Sequence, residues 1–281
     1  MKQKAFHPKK RLGQNFLYDP AIARRIVEAA DLSPDQVVVE LGCGKGILTK
    51  PLSEKRVRLI AIEVDRDLYT DLAAYFETLE PREQAVGVEL LNTDFTKLSI
   101  TGLLTSRGFE RCVLFGNIPY YLTREVLFSF LVDEFEMIGA AYLMVQREVG
   151  ERIVSPPGSR VYGITSVILQ TLYDVRSLFR VAAGSFFPKP KVGSMVLEFK
   201  QLDDLPIEPG ELKGLLSLVK NLFQQRRKTI HNTIKKFYAL SEPELTEIQN
   251  TAGVELNRRP EELGKEQFIE LSRAVAEVTA A

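Results

Sequence analysis

Between Val37 and Phe199, short apolar runs alternate with longer stretches whose apolar residues recur every three or four positions. The runs are "VVVELG", "RLIAIEV", "VELLNTD", "CVLFGN", "AAYLMVQ" and "SMVLEF". Near-continuous apolar runs of this kind suit strands buried on both faces, so the pattern predicts a mainly parallel sheet with helices on both sides and a ligand at its C-terminal strand ends. A helix is predicted ahead of the sheet, over Pro20 to Ala30. After the sheet, "QLDDLPIEPG" reads as a linker, and from about Glu211 the chain turns helical. There Leu215, Leu218, Leu222, Ile230, Ile234 and Phe237 make one apolar stripe, with Lys220, Gln224, Lys228, His231 and Lys235 opposite. "SEPE" predicts a capping box for a helix ending near Gly253, and "EQFIELSRAVAEV" a last amphipathic helix. The expected architecture is therefore α/β, with a Rossmann-like sheet domain over 1–200 and a small all-helical domain over 201–281.

With 281 residues, 45% of them hydrophobic, the chain has material for a real core. No apolar run reaches the roughly 18 residues of a membrane span, and the first residues lack the apolar segment of a signal peptide. A cytoplasmic protein without a membrane partner is the expectation. Cys43 and Cys112 show no metal or redox spacing, and His7 and His231 are far apart in the chain, so the thiols are expected to be reduced and structural, and no metal is assigned. Charge alters the picture more. The balance is zero, 37 basic against 37 acidic residues, but two segments carry bases alone. Lys2, Lys4, Lys9, Lys10 and Arg11 lie in one, and Lys213, Lys220, Arg226, Arg227, Lys228, Lys235 and Lys236 in the other. One basic run is usually a solvated face; two in a neutral protein point to a polyanion.

The strand ends carry the candidate chemistry. "ELGCGKG" places Gly42, Gly44 and Gly46 at a strand-to-helix turn, where backbone can approach a ligand closely. Position 47 is Ile, which departs from the G-x-G-x-x-G of dinucleotide folds. The second run ends at Glu63, suited to accept ribose hydroxyls, and the third at Asp94, suited to accept from an adenine amino group. A Gly loop, Glu and Asp on successive tips, with no phosphate-gripping Lys-Ser/Thr pair, fit S-adenosylmethionine as cofactor, leaving S-adenosylhomocysteine as product. On the fourth tip, "FGNIPYYLT" offers the Asn117 side-chain oxygen and the Ile118 carbonyl to the two N–H groups of an exocyclic amine, Pro119 to stiffen them, and the Tyr120 ring as a stacking surface. This combination describes methylation of a base amine. "SFFPKPKVGS" could supply a second wall, with Phe186 and Phe187 beside Lys189 and Lys191.

In their order, "RLGQNFL", "ELGCGKG", Glu63, "NTD", "GNIPYYLT", "PPGSRVYGITSVILQ", "SFFPKPKVGS" and "FQQRRKTIHN" resemble the KsgA-type small-subunit ribosomal RNA adenine dimethyltransferases nearly end to end. The resemblance implies transfer of two methyls to N6 of each of two adjacent adenosines in a hairpin near the 3' end of small-subunit RNA, within an immature subunit. It implies cofactor contacts from Asn15, Leu17, Gly42, Glu63, Asp94 and Asn117. Asn117 and Tyr120 would serve the target amine, Phe186 would stack on its far side, and Lys9, Lys10, Arg11, Lys189, Lys191, Arg226, Arg227 and Lys228 would meet RNA. Cys43 stands where the family usually has Pro, "NIPYY" replaces the commoner "NLPYN", and Gly193 stands in "KVGS" where "KVDS" is usual. Two rivals remain: a large-subunit ribosomal RNA adenine methyltransferase, and a chiefly structural RNA-binding assembly factor. Nothing in the sequence demands more than a monomer.

Overall fold

The computed structural model describes residue 13, residues 15–78 and residues 87–280. A seven-stranded sheet is built from β2 (Val37–Leu41), β3 (Arg58–Ile62), β4 (Val88–Leu91), β5 (Cys112–Asn117), β6 (Ile138–Gln146), β7 (Tyr173–Val181) and β9 (Ser194–Gln201), in the order β4-β3-β2-β5-β6-β9-β7. The pairs from β4 through β6 are parallel, and β9 runs antiparallel to β6. A separate two-stranded ribbon joins β1 (Phe16–Leu17) to β8 (Phe186–Phe187), antiparallel. All six predicted strands are present. The sequence reading missed β7 because "YDVRSLFRV" mixes charges into a half-exposed strand, and it missed β1 and β8 because two-residue strands carry no periodicity.

Strand order reverses between β2 and β5, which opens a crevice at their C-terminal ends. The Leu41↔Gly116 register brings the Gly42 turn beside Asn117. All five residues of β2 are buried, Glu40 among them. The predicted first helix runs over Pro20–Glu28; Asp19 caps it by accepting from the Ala21 amide at 2.9 Å, and Pro20 occupies its first turn, where no amide hydrogen is needed.

The molecule divides into two compact units. The first holds the described residues up to Gly150 together with Arg176–Gln201. The second holds Glu151–Val175 and the described residues from Leu202 onward. The expected division near residue 200 falls within a residue or two of the Gln201/Leu202 boundary, but the helical unit also takes in an earlier stretch, Glu151–Val175, and with it "PPGSRVYGITSVILQ". The reason is packing. The helix Ile164–Leu172 is buried against the helices Leu212–Gln224 and Lys265–Ala280. Ser166 Oγ donates to the Arg152 carbonyl at 2.6 Å, and Gln170 Nε2 donates to the Ile153 carbonyl at 2.7 Å. A stretch that carries the family resemblance thus helps hold this unit together.

The single long helical stripe expected from Glu211 is two helices, Leu212–Gln224 and Ile230–Tyr238, separated by "QRRKT". Thr229 caps the second by accepting from the Asn232 amide at 3.3 Å. The break rotates the later face, so Ile230 and Ile234 stay buried while Phe237 is exposed. The predicted capping box is present, with the Ser241 amide donating to Glu244 at 2.7 Å, and its helix ends at Ala252 before Gly253 in a left-handed conformation. Among the described residues no helix is long and apolar enough to cross a membrane.

Candidate active site

A cleft of about 1020 Å³, counted to its open mouth, lies at the tips of β2, β3 and β5. Gly42, Cys43, Gly44 and Lys45 of the turn that ends at Gly46 line it. Gly42 and Gly46 adopt φ of 68° and 75°, a region that resists side chains, and a Cβ on Gly46 would stand 2.5 Å from Leu72 Cδ1. The Cys43 amide donates to the Ile62 carbonyl at 3.0 Å, tying the turn to the neighbouring strand tip.

Glu63 is buried, and both its carboxylate oxygens receive backbone amides: Oε2 from Gly44 and Oε1 from Asp65, each at 2.8 Å. Burial raises its pKa, and these amides oppose that. A carboxylate oxygen has a second lone pair, so the same group can also accept ribose hydroxyls at the cleft. Asn92 donates from Nδ2 to the Glu63 carbonyl at 2.8 Å and joins the tips of β3 and β4. Asp94 caps the short turn Phe95–Lys97; its Oδ1 accepts from the Thr96 amide at 3.1 Å and hydroxyl at 2.7 Å. That engagement orients the carboxylate along the cleft wall it lines.

At the β5 tip, Asn117 Nδ2 donates to the Asn15 carbonyl at 3.2 Å. The carboxamide is thereby oriented, with Oδ1 as its acceptor end. Asn15 acts here through its backbone, while its side chain donates to the Gly13 carbonyl at 3.3 Å. Tyr120 Oη lies 2.9 Å from Ser194 Oγ, and burial raises the phenol pKa while that hydrogen bond lowers it. Its ring, then, is what Tyr120 offers a substrate; a phenolate base is disfavoured. Ser194 was missed because a serine beginning a buried strand carries no sequence signal; only the antiparallel return of β9 beside β6 brings it to Tyr120.

Asn15, Leu17, Gly42, Glu63, Asp94, Asn117, Tyr120 and Phe186 all line this one cleft, although they come from six separate stretches of chain. The structure also places Glu40 there, 2% exposed, with Oε2 lacking any hydrogen-bond partner among the described residues. Burial is the largest cause, with nearby Glu63 adding to it and Thr49 opposing, that pushes the Glu40 pKa up to about 8. Sequence reading passed it over as one more position in a strand.

Other expected residues are placed differently. Phe187 is 59% exposed and leaves the cleft, because successive strand residues face opposite ways and Phe186 takes the inward position. Lys189 and Lys191 are exposed beyond it. Arg226 is engaged within the helical unit: it donates to the Arg160 carbonyl at 2.8 Å and the Ser159 carbonyl at 3.3 Å, and lies 3.6 Å from Glu261, with about a third of its side chain exposed. Arg227 and Lys228 are exposed. Lys9, Lys10, Arg11 and His7 lie outside the described residues. Cys43 and Cys112 are buried and unbridged, and burial pushes the Cys112 thiol up to about 12. Among the described residues no group of three or more His, Cys, Asp or Glu is arranged to hold a metal.

The chain is similar to proteins named ribosomal RNA small subunit methyltransferase A. That of Geobacter metallireducens is 38% identical over 276 residues, covering 98% of both chains, and that of Syntrophotalea carbinolica is 39% identical over 268 residues, covering 95% of this chain and 97% of the relative. Among solved structures, a dimethyladenosine transferase from Plasmodium falciparum superposes with a TM-score of 0.76 at 22% identity, covering 91% of this chain and 95% of that one. The 23S rRNA methyltransferase ErmE superposes at 0.69, also at 22% identity, covering 93% and 100%. These two likenesses show a shared fold. The profile of the ribosomal RNA adenine dimethylase family matches residues 5–277, and with relatives this similar over nearly their full length, the chain belongs to that family.

Proposed function

We propose that the protein transfers methyl groups from S-adenosylmethionine to N6 of two adjacent adenosines in the 3'-terminal hairpin of small-subunit ribosomal RNA, giving N6,N6-dimethyladenosines while the subunit matures. The observation that carries this reading is the convergence of the Gly42 turn, Glu63, Asp94, Asn117 and Tyr120 on one cleft at the point where strand order reverses. The names of the curated relatives favour the small subunit over the large one.

The residues present fit the cofactor. The open turn at Gly42 leaves room for a ligand against backbone, Glu63 and Asp94 are oriented acceptors for a ribose and an adenine amine, and Asn15 and Leu17 close the near side. S-adenosylmethionine supplies an electrophilic methyl carbon on a sulfonium sulfur. The task left to the protein is the nucleophile. The adenine amine is weak because its lone pair is conjugated into the ring. Asn117 Oδ1 and the Ile118 carbonyl each accept one N6–H and draw the nitrogen toward a tetrahedral form with its lone pair aimed at the methyl. Pro119 limits the backbone freedom of the segment that presents them. Tyr120 and Phe186 hold the base between two rings, replacing the stacking lost when it leaves the RNA. No strong base is needed, since the amine becomes acidic only after gaining the methyl and gives its proton to water. Positioning of this kind contributes on the order of 7 to 11 kcal/mol to lowering the barrier.

The decisive experiment incubates the protein with labelled S-adenosylmethionine and unmethylated small subunits and maps the label. Two neighbouring dimethylated adenosines are expected near the 3' end; label in large-subunit RNA would transfer the assignment to the rival. We further infer that the exposed Arg227, Lys228, Lys189 and Lys191 contact RNA backbone, together with Lys9, Lys10 and Arg11, and that the protein acts as a soluble cytoplasmic monomer.

A further inference from the structure

Beside the cleft runs a second depression, about 1080 Å³ with its open mouth included, and Phe16, Leu17, Lys45 and Ile47 line both. The β8 dipeptide separates them. Phe186, 3% exposed, faces the cleft, whereas Phe187, 59% exposed, faces this groove opposite Phe16 in the β1–β8 ribbon. Tyr18 is 60% exposed on the same groove, yet its ring is held: the hydroxyl donates to the Gly184 carbonyl, and the backbone amide donates to the Ser185 carbonyl at 3.2 Å. Two large rings presented to water on an ordered ribbon form a surface built to be covered.

Charge selects what covers it. Arg24, Lys45 and Lys50 line the groove, and Glu54 is the lone acid among the described residues that do so. The Lys50 ammonium sits 3.8 Å from the Tyr75 ring centroid, so it is held over an aromatic face that leaves its charge available to an anion. Exposed rings alternating with cations suit unpaired nucleotides, whose bases stack on any flat ring while their phosphates meet the bases of the protein. A duplex would hide its base faces from those rings. A protein partner would be drawn to the rings but would gain less from the cations.

We propose that this groove holds single-stranded nucleotides of the RNA adjoining the target adenosine, with bases stacked on Tyr18 and Phe187 and phosphates beside Arg24 and Lys50. The proposal rests on the RNA-methylating function above. It makes the ribbon a divider: one phenylalanine for the reacting base, the next for its neighbour.

The test measures fluorescence anisotropy of a labelled eight-nucleotide single-stranded RNA on the full chain, across a salt series, beside a duplex of equal length. Tyr18→Ala and Phe187→Ala should each weaken single-strand binding about tenfold without changing the salt slope. Arg24→Ala and Lys50→Ala should each flatten the slope by about 0.7. Tyr18→Leu and Phe187→Leu, which keep apolar bulk but remove the flat ring, should weaken binding as the alanine variants do, and calorimetric affinity for S-adenosylmethionine should be unchanged in all. No binding by the wild-type chain, equal binding by the ring variants, or the same ring dependence with duplex would each overturn the proposal. If wild-type protein methylates small subunits but the variants bind like wild type, the groove alone falls. If ring-dependent binding is found but small subunits are not methylated, the functional reading falls and the groove stands.

Discussion

The cleft at the strand tips and the connection between the helices Leu212–Gln224 and Ile230–Tyr238 both gather polar side chains, but they spend them differently. In the cleft, nearby backbone groups hold most of the side chains: the amides of Gly44 and Asp65 grip Glu63, the amide and hydroxyl of Thr96 grip Asp94, and the Asn15 carbonyl grips Asn117. Each functional group keeps an acceptor edge for a ligand after its anchoring bond is made. In the connection, Arg226 directs its guanidinium to two carbonyls and Glu261, while Arg227 and Lys228 remain exposed. Neighbouring charges of one sign thus divide into a strut and two solvated groups. Polar side chains anchored at one end keep the other for a ligand; an arginine that gives donors from two nitrogens to backbone carbonyls and sits beside Glu261 supports the fold.

Removing the amide at the centre of the cleft should give the largest effect that separates the two regions. Asn117→Ala is expected to lower methyl transfer at least 10²-fold, measured with saturating cofactor and RNA, while RNA affinity stays close to wild type. Full-rate dimethylation by this variant would remove the proposed chemistry altogether.

The buried carboxyl beside it offers a second measure, through stability. Glu40 has a folded pKa of about 8 against 4.5 for the ordinary side chain. Because the folded state holds this proton more tightly, the stabilisation is fully present below about pH 4.5 and is lost as pH rises toward 8. Unfolding of the cofactor-free protein by denaturant should therefore show stability falling over that window, by on the order of 4 kcal/mol from this group. Glu63 is shifted in the same direction and adds to the slope. Glu40→Gln should flatten the pH profile; a profile identical to wild type would mean that Glu40 is ionised in the folded chain.

The smallest effects concern the connection. Arg226→Ala should destabilise the protein by about 1 kcal/mol, since it removes two partly exposed hydrogen bonds to carbonyls and a partner of Glu261, and should barely move the salt dependence of RNA binding. Arg227→Ala and Lys228→Ala should do the reverse, leaving stability within about 0.5 kcal/mol and lowering the salt slope by roughly 0.7 to 0.9 each. If Arg226→Ala instead flattens the slope as much as the other two, the strut is also a phosphate contact, and the contrast with the cleft disappears.

Much of the cleft was readable before any coordinates because its residues lie at strand ends. Once "VVVELG" and "CVLFGN" are strands of a parallel sheet, their last residues must emerge at one edge, so the Gly42 turn and Asn117 have few other places to go. Glu63 and Asp94 follow by the same geometry. Partners that reach the site from distant chain had no such signal. Ser194 meets Tyr120 through an antiparallel return 74 residues later, and Asn15 meets Asn117 across 102 residues. The helical unit was readable as helices starting just after residue 200, but its earlier stretch Glu151–Val175 was not, since "YGITSVILQ" resembles sheet-domain sequence in position and helical-unit sequence only in what buries it.

The chain's own pattern determined six of the strands, the residues at their tips and the family, because periodicity and turn residues act over a few neighbours and leave a local imprint. Tertiary structure alone decided which face of "FF" turns inward, which arginine of "QRRK" is a strut, and that Glu40 is buried near Glu63 with Oε2 lacking a partner among the described residues. Those outcomes depend on burial and on partners far along the chain, and side-chain free energies are set by the surroundings that packing creates.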